Sequence, residues 1–233
     1  MISIEVVIRS VEDALLAEEA GVNRLELVSA FEVGGLTPSL GVVRAVRRAV
    51  QLPIRVMVRP SAGWFVYSEP QILAMLTDIQ LMADEGIDGF VFGCITEDGK
   101  IDQFANERLI ASAHGLPCTF HRASDVTTEP YFGLQSIMGI GFQSILSSGG
   151  TGNAMESLKV LQDLVSMAGN RIEVMVCGGV RAHNVTEIVQ TTGCQWVHLG
   201  PFLPPTFTKS ESPLSDFLKI PGSLNTEELR KIR

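Results

Sequence analysis

The sequence predicts a single-domain α/β protein with the (β/α)8, or TIM, barrel fold, and three observations carry that prediction. Apolar, β-branched runs recur eight times, at 2–8, 24–28, 53–59, 88–94, 117–122, 143–148, 172–177 and 195–199. Each of the first seven is followed by a segment of helical length and period. Gly21, Gly86, Gly141 and Gly193 stand just before strands two, four, six and eight and open similar turns, a faint repeat of paired strand and helix units. Eight such units close a barrel. An open doubly wound sheet is the alternative, disfavoured by the even strand spacing and the missing GxGxxG turn.

Helix starts are written locally. Ser10 with Asp13 reads as a capping box, Thr37 before Pro38 as a second start, and Ser68 before Glu69-Pro70 as a third. The four glycines mark helix ends. The barrel is assigned to residues 1–200. Residues 201–233, with Pro201, Pro204, Pro205, Pro213 and Pro221, read as a tail that ends in a short helix from Thr226 and wraps the barrel or a partner subunit.

The chain has 233 residues, 45% of them hydrophobic, enough for one full core. Its 26 acidic and 18 basic side chains leave a net charge of -8, which repels nucleic acid and anionic membranes in the absence of a basic run. Cys94, Cys118, Cys177 and Cys194 have neither CxxC nor zinc-finger spacing and suit a reducing compartment. Met1 to Arg9 alternates polar and apolar residues around Glu5, unlike a secretory signal, and no apolar stretch has the ~20 residues of a membrane span. A soluble cytoplasmic protein is expected.

Alternation sorts each strand into a helix-facing and an interior set. Ile2, Ile4, Val6 and Ile8 face the helices, so Ser3, Glu5 and Val7 point inward. The same test sends Arg24, Glu26, Val28, Arg55, Met57, Arg59, Thr119, His121, Glu173, Met175, Cys177, Trp196 and His198 inward. Chemistry in such barrels sits at the C-terminal strand ends. Arg24, Arg55 and Glu173 come early in their strands and read as a salt-bridged plug. Glu5 and Glu26 are mid-strand, placed to share a proton or a metal or simply to accept from Arg24, Arg55 or Arg59. Arg59, His121, Ser148, Cys177 and His198 fall at the top.

Several segments then carry a family signature. Arg24-Leu25-Glu26-Leu27, Glu32-Val33-Gly34-Gly35-Leu36-Thr37-Pro38-Ser39, Thr96-Glu97-Asp98-Gly99, Thr119-Phe120-His121-Arg122-Ala123 and Ser148-Gly149-Gly150 closely resemble the CutC family, over residues 1 to 200. The resemblance implies a cytoplasmic TIM barrel, a homo-oligomer, with a role in copper homeostasis through copper binding or response. The family pattern has Cys after Glu-Val in the first strand and after Glu-Leu in the second. Here those positions are Val7 and Val28. Parity puts the two positions in one layer on adjacent strands, ~5 Å apart, where two thiolates could hold Cu(I) and two valines cannot. The third-strand loop, Arg59-Pro60-Ser61-Ala62-Gly63-Trp64, and the eighth-strand end, His198-Leu199-Gly200-Pro201, also depart from the family, which tends to have further arginines there.

Three constellations remain open on the residues alone. A soft-metal site would combine Cys177 with His121 or His198, although buried Cys and Met are ordinary core fillers. An anion site would use the turns at Ser148, Gly149 and Gly150 and at Gly178 and Gly179, beside the fixed charge of Arg59, unless those glycines only make tight turns. For acid and base work His121 is the leading candidate, with Glu5, Glu26 and Arg59 near, or else it hydrogen-bonds Ser148 or Asp125 for structure. Arg122 is expected to point outward, and Asp125 to orient His121 or cap the helix near Thr127 or Thr128. Trp64, Phe65 and Tyr67 form a lid or an oligomer contact. The function is thus copper handling by family resemblance, or an enzyme or binding protein for a small anionic metabolite by the residues themselves.

Overall fold

The structure, a computed structural model, describes residues 2–203 and 222–232. Eight parallel strands close a barrel: β1 (Ser3–Ile8), β2 (Arg24–Leu27), β3 (Ile54–Met57), β4 (Gly89–Phe92), β5 (Cys118–Phe120), β6 (Ser144–Ser147), β7 (Glu173–Val176) and β8 (Trp196–Leu199), the last pairing with the first. The helices are α1 (Val11–Glu19), α2 (Leu40–Ala49), α3 (Glu69–Ala83), α4 (Gln103–Ser112), α5 (Pro130–Ile140), α6 (Leu158–Ala168), α7 (Val185–Thr192) and α8 (Thr226–Ile232). Each strand falls inside its predicted run. None of the described helices is long and apolar enough to cross a membrane.

Local signals explain most boundaries. Ser10 caps α1 by accepting from the Asp13 N–H. Ser68 and Gln71 form the reciprocal capping box of α3, with Pro70 in its first turn. Gly21, Gly86, Gly141 and Gly193 all take the left-handed conformation that ends a helix cleanly. The second helix departs from expectation: Ser39, not Thr37, is its cap. Thr37 is engaged elsewhere, its hydroxyl accepting from the Arg59 N–H at 2.9 Å.

The tail supplies the eighth helix of the barrel. An antiparallel bridge between Phe202 and Leu224 brings the chain back, and α8 packs beside α1. Arg230 meets Glu19 at 2.9 Å, and the Ala182 N–H donates to Glu228 at 2.6 Å. Helix α8 starts at Thr226, within residues 201–233. Pro204, Pro205, Pro213 and Pro221 lie outside the described residues.

Two apolar layers result. Between sheet and helices lie the outward strand residues, among them Ile4, Val6, Leu25, Leu27, Phe90, Phe92 and Phe120, all at most 1% exposed. Inside the barrel a smaller cluster of Val7, Val28, Met57, Val91, Leu146, Met175 and Cys177 forms the floor of the upper mouth. The ladder confirms the alternation: Glu5 is level with Arg24 and His198, Glu26 with Val7 and Arg55, and Thr119 with Ser144.

Candidate active site

The lower interior is an ionic plug. Arg24 donates to Glu5 at 2.5 Å and Glu173 at 3.3 Å and stacks over Trp196 at 4.0 Å. Arg55 binds the hydroxyls of Thr119 and Ser144 and lies 3.6 Å from Glu173. Every charge of the plug thus has a partner, as burial demands.

One layer higher, His198 joins the two mid-strand carboxylates. Its Nδ1 is 2.8 Å from Glu5 Oε1 and its Nε2 is 3.5 Å from Glu26 Oε2. This places His198 mid-barrel, below the rim where the sequence reading put it, because β8 is level with β1 at Glu5. Burial alone would raise the Glu5 pKa, but the His198 hydrogen bond and the Arg24 charge outweigh burial and hold it at about 2. Glu26 receives no arginine. Burial, reinforced by the Glu5 charge, pushes it up to about 7 against the pull of His198. The two carboxylates also raise His198 above its ordinary value, against burial. The layer is a relay of Glu5, an imidazole inclined to hold its proton, and a poised Glu26.

These three side chains each have a ligand atom within 4.8 Å of the others, the one such group of three or more His, Cys, Asp and Glu side chains among the described residues. Both imidazole nitrogens face carboxylates, however, and Arg24 is on Glu5, so the imidazole and Glu5 are already engaged and only Glu26 Oε1 is left without a partner. Cys177 is not part of it. Burial keeps the Cys177 thiol well above its ordinary pKa, against the thiolate that a soft metal requires. Met175 sulfur already accepts from Arg24, and Val7 and Val28 offer no donor. The donors present do not fit a resident Cu(I). Nor are Val7 and Val28 level, since Val7 pairs with Glu26, two residues below Val28.

Above the relay a cavity of about 470 Å³ opens at the C-terminal strand ends. Glu26, His198, Arg59, His121, Cys177, Gly178 and Gly179 line it, together with Arg122, Thr151 and Arg181. His121 is 3% exposed, its Nδ1 accepts from the Ala123 N–H at 3.3 Å, and its Nε2 has no partner. It bonds neither Ser148 nor Asp125, and Phe65 of the third loop packs against it at 4.6 Å between ring centres. Burial, with the Arg59 charge beside it, drops its pKa to about 3, so the ring is neutral. Because Nδ1 accepts, the hydrogen is assigned to Nε2.

Several rim residues behave differently from the sequence reading. Arg59 turns back on the loops and donates to the carbonyls of Val33, Gly35 and Gly63 at 2.8 to 3.0 Å, leaving only Nε unpartnered. The guanidinium therefore braces the mouth as well as charging it. Arg122, expected outside, lines the cavity because the chain leaves the strand at His121 and turns through a 3-10 segment, Arg122–Val126. Asp125 is neither a helix cap nor a partner of His121. It accepts from Arg122, from the Ser147 hydroxyl and from the Ser148 N–H at 2.7 to 3.0 Å. That bond uses the Ser148 donor, and the Gly149 N–H goes to the Ser147 hydroxyl, so Ser148 and Gly149 direct these groups into their own turn. Neither they nor Gly150 line the cavity, whereas Gly178 and Gly179 do. Gly178 is also required sterically, since a Cβ there would meet Ser148 Cβ at 2.7 Å.

The Glu26 environment predicts a pH effect. A carboxyl whose folded-state pKa is raised binds protons more readily folded than unfolded, so stability falls as pH rises from the ordinary carboxylate range through about 7. His198, also raised, acts in the same direction. Glu26→Gln should remove most of this loss. Between pH 5 and pH 8 the urea midpoint of the native chain should drop relative to that of the variant, and identical pH profiles would contradict it.

The CutC family model matches residues 2–202. The chain is 42% identical over 194 residues to the copper homeostasis protein cutC homolog of Homo sapiens, covering 83% of this chain and 71% of that one. It is 41% identical over 197 residues to a CutC family protein of Treponema denticola, covering 84% and 80%. The crystal structure of CutC from Streptococcus agalactiae superimposes with a TM-score of 0.82 at 34% identity, over 85% of this chain and 98% of that one. An N-(5'-phosphoribosyl)anthranilate isomerase of Pyrococcus furiosus has a TM-score of 0.61 at 12% identity, over 100% of this chain and 96% of that one, a likeness of fold alone. With the family model spanning nearly the whole described barrel and relatives above 40% identity, this chain belongs to the CutC family.

Proposed function

We propose that this chain has a role in copper homeostasis, the role its curated relatives are named for, and that it acts there as a cytoplasmic protein binding a small anionic metabolite at the barrel mouth. Proton transfer by Glu26 and His121 is its chemistry; Cu(I) held by thiolates is not. One observation carries the reading. Among the described residues four buried side-chain nitrogen or oxygen atoms have no hydrogen-bond partner, and Glu26 Oε1, His121 Nε2 and Arg59 Nε, three of the four, belong to residues that line one cavity. Arg59 lies against the Tyr67 hydroxyl, the fourth orphan, so it is Glu26 Oε1 and His121 Nε2 that call for a ligand to satisfy them.

Charge supports an anion. The protein is acidic overall, yet Arg59, Arg122 and Arg181 converge on this cavity against Glu26 and Asp125. Arg181 is the cleanest probe, because among the described residues its side chain bonds only the neighbouring Val180 carbonyl, whereas Arg59 holds three loop carbonyls. Calorimetric titration with inorganic phosphate or a phosphorylated sugar should show binding in the native chain. Arg181→Met should weaken it by about 1.5 to 3 kcal/mol, the range for a hydrogen bond to a charged group. Equal affinity in both, or none in either, would refute the anion reading.

Copper supplies the contrasting test. Native protein should compete poorly with a Cu(I) chelator, and Val7→Cys with Val28→Cys should strengthen its competition, because two soft thiolates would join the apolar floor beside Met57 and Cys177. Tight binding by the native chain would place copper in a site other than the one considered above. Self-association completes the proposal: Trp64, 75% exposed on the third loop, is a large apolar surface for a second copy to cover.

A further inference from the structure

We infer that the cavity is built to enolise a small α-hydroxy carbonyl compound carrying an anionic group, with Glu26 taking the proton from the carbon beside the carbonyl and His121 Nε2–H hydrogen-bonding the carbonyl oxygen. The inference rests on the anion-binding mouth proposed above and adds the reaction. Two residues that line one cavity, Glu26 on β2 and His121 at the end of β5, each carry a buried side-chain atom without a partner, an oxygen on the first and a nitrogen on the second. A base without a donor and a donor without an acceptor are complementary to one kind of substrate: an acidic C–H adjoining a polarised C=O.

The surroundings fit those opposite roles. Glu26 faces Glu5, Arg24, Arg55 and His198, and burial carries it to about 7, where a carboxylate is basic enough to remove a carbon-bound proton and still ionised in part at neutral pH. His121 faces Arg59 and the rings of Phe65 and Phe120, and is held neutral. A neutral imidazole can hydrogen-bond an oxygen that becomes an enolate without first giving up a proton to water. His198, gripped by Glu5, steadies the other oxygen of Glu26.

The step balances within the substrate. The C–H bond breaks as Glu26 Oε1 takes the proton, its electron pair forms C=C, and the carbonyl π pair moves to the oxygen beside His121. Glu26 then returns the proton to the neighbouring carbon, while His121 gives its Nε2 proton to the former carbonyl oxygen and receives the one from the adjoining hydroxyl. The product is the isomeric hydroxy carbonyl, with no oxidant, reductant or metal consumed. The anionic group would lie across the cavity toward Arg181 and the Gly178-Gly179 turn.

Solvent exchange tests the chemistry directly. Glyceraldehyde 3-phosphate, dihydroxyacetone phosphate, ribose 5-phosphate and hydroxypyruvate are incubated with the full chain in D2O, and deuterium at the carbon next to the carbonyl is followed by proton NMR. At least one should exchange 100-fold or more above the protein-free rate, rising with pH toward about 7 as Glu26 ionises. Glu26→Gln should bring exchange to the background, and His121→Gln should slow it at least 100-fold. Should Glu26→Gln not fold, by far-ultraviolet circular dichroism, Glu26→Asp keeps the charge, withdraws it by one methylene and should cost tenfold or more. Phosphate binding by calorimetry without exchange on any of these compounds would overturn enolisation and leave the anion site standing. Absence of both would overturn the mouth as a site altogether. Exchange that survives Glu26→Gln would remove Glu26 as the base.

Discussion

Arg24→Met should be among the most destabilising single substitutions in this chain, costing about 3 to 5 kcal/mol in urea denaturation at pH 7, the range for breaking a buried ion pair on one side. Glu5, fully buried, would lose its shortest partner, and Glu173 and Trp196 would lose theirs. Methionine keeps much of the volume, so the loss reports charge and not a cavity. Adding Glu5→Gln to Arg24→Met should recover a substantial part, because the uncompensated carboxylate is then gone. A single-variant cost under 1 kcal/mol would mean that His198 alone holds Glu5 and that the plug is dispensable.

The ionic plug was legible from the sequence because strand parity is rigid. One residue inward forces the next outward, and the helix-facing residues announce themselves as Ile, Val and Leu. What parity does not contain is the stagger between strands. Nothing in the sequence pairs Glu5 with His198, or sends Arg24 to Glu5 and leaves Glu26 without an arginine; those pairings come from the register of a closed sheet. The same stagger sets Val7 level with Glu26 instead of Val28.

Loops were less legible still. Parity ends where the chain stops being extended, so it points Arg122 outward while the turn after His121 brings it to the mouth. Parity points Arg59 inward at the top of β3 and the residue is buried, but its donors go to carbonyls up to 26 residues away, in a loop whose path no local pattern encodes. Asp125 shows the same limit, since a carboxylate after a strand reads as a helix cap until its partners on β6 are known.

His121→Gln should make the protein markedly less sensitive to acid. The imidazole titrates at about 3 in the folded chain and at 6.5 unfolded, so the unfolded state binds the extra proton and stability falls as pH drops from about 6.5 toward 3. Between pH 7 and pH 5 this one group should cost about 2 kcal/mol, close to the 1.36 kcal/mol per pH unit that linkage allows. Gln cannot take up that proton, while its amide oxygen can still accept from the Ala123 N–H. Urea midpoints of both proteins at pH 7 and pH 5 give the difference directly. Glu26 and His198 shift stability the other way with pH, but they remain in both proteins and cancel in the comparison. Identical slopes would show that His121 is already charged or solvated in the folded state, and a charged ring would no longer be a neutral donor. The acid sensitivity and the proposed chemistry therefore share one cause: burial beside Arg59 that keeps the ring uncharged costs the fold stability below pH 6.5 and leaves Nε2–H free for a substrate oxygen.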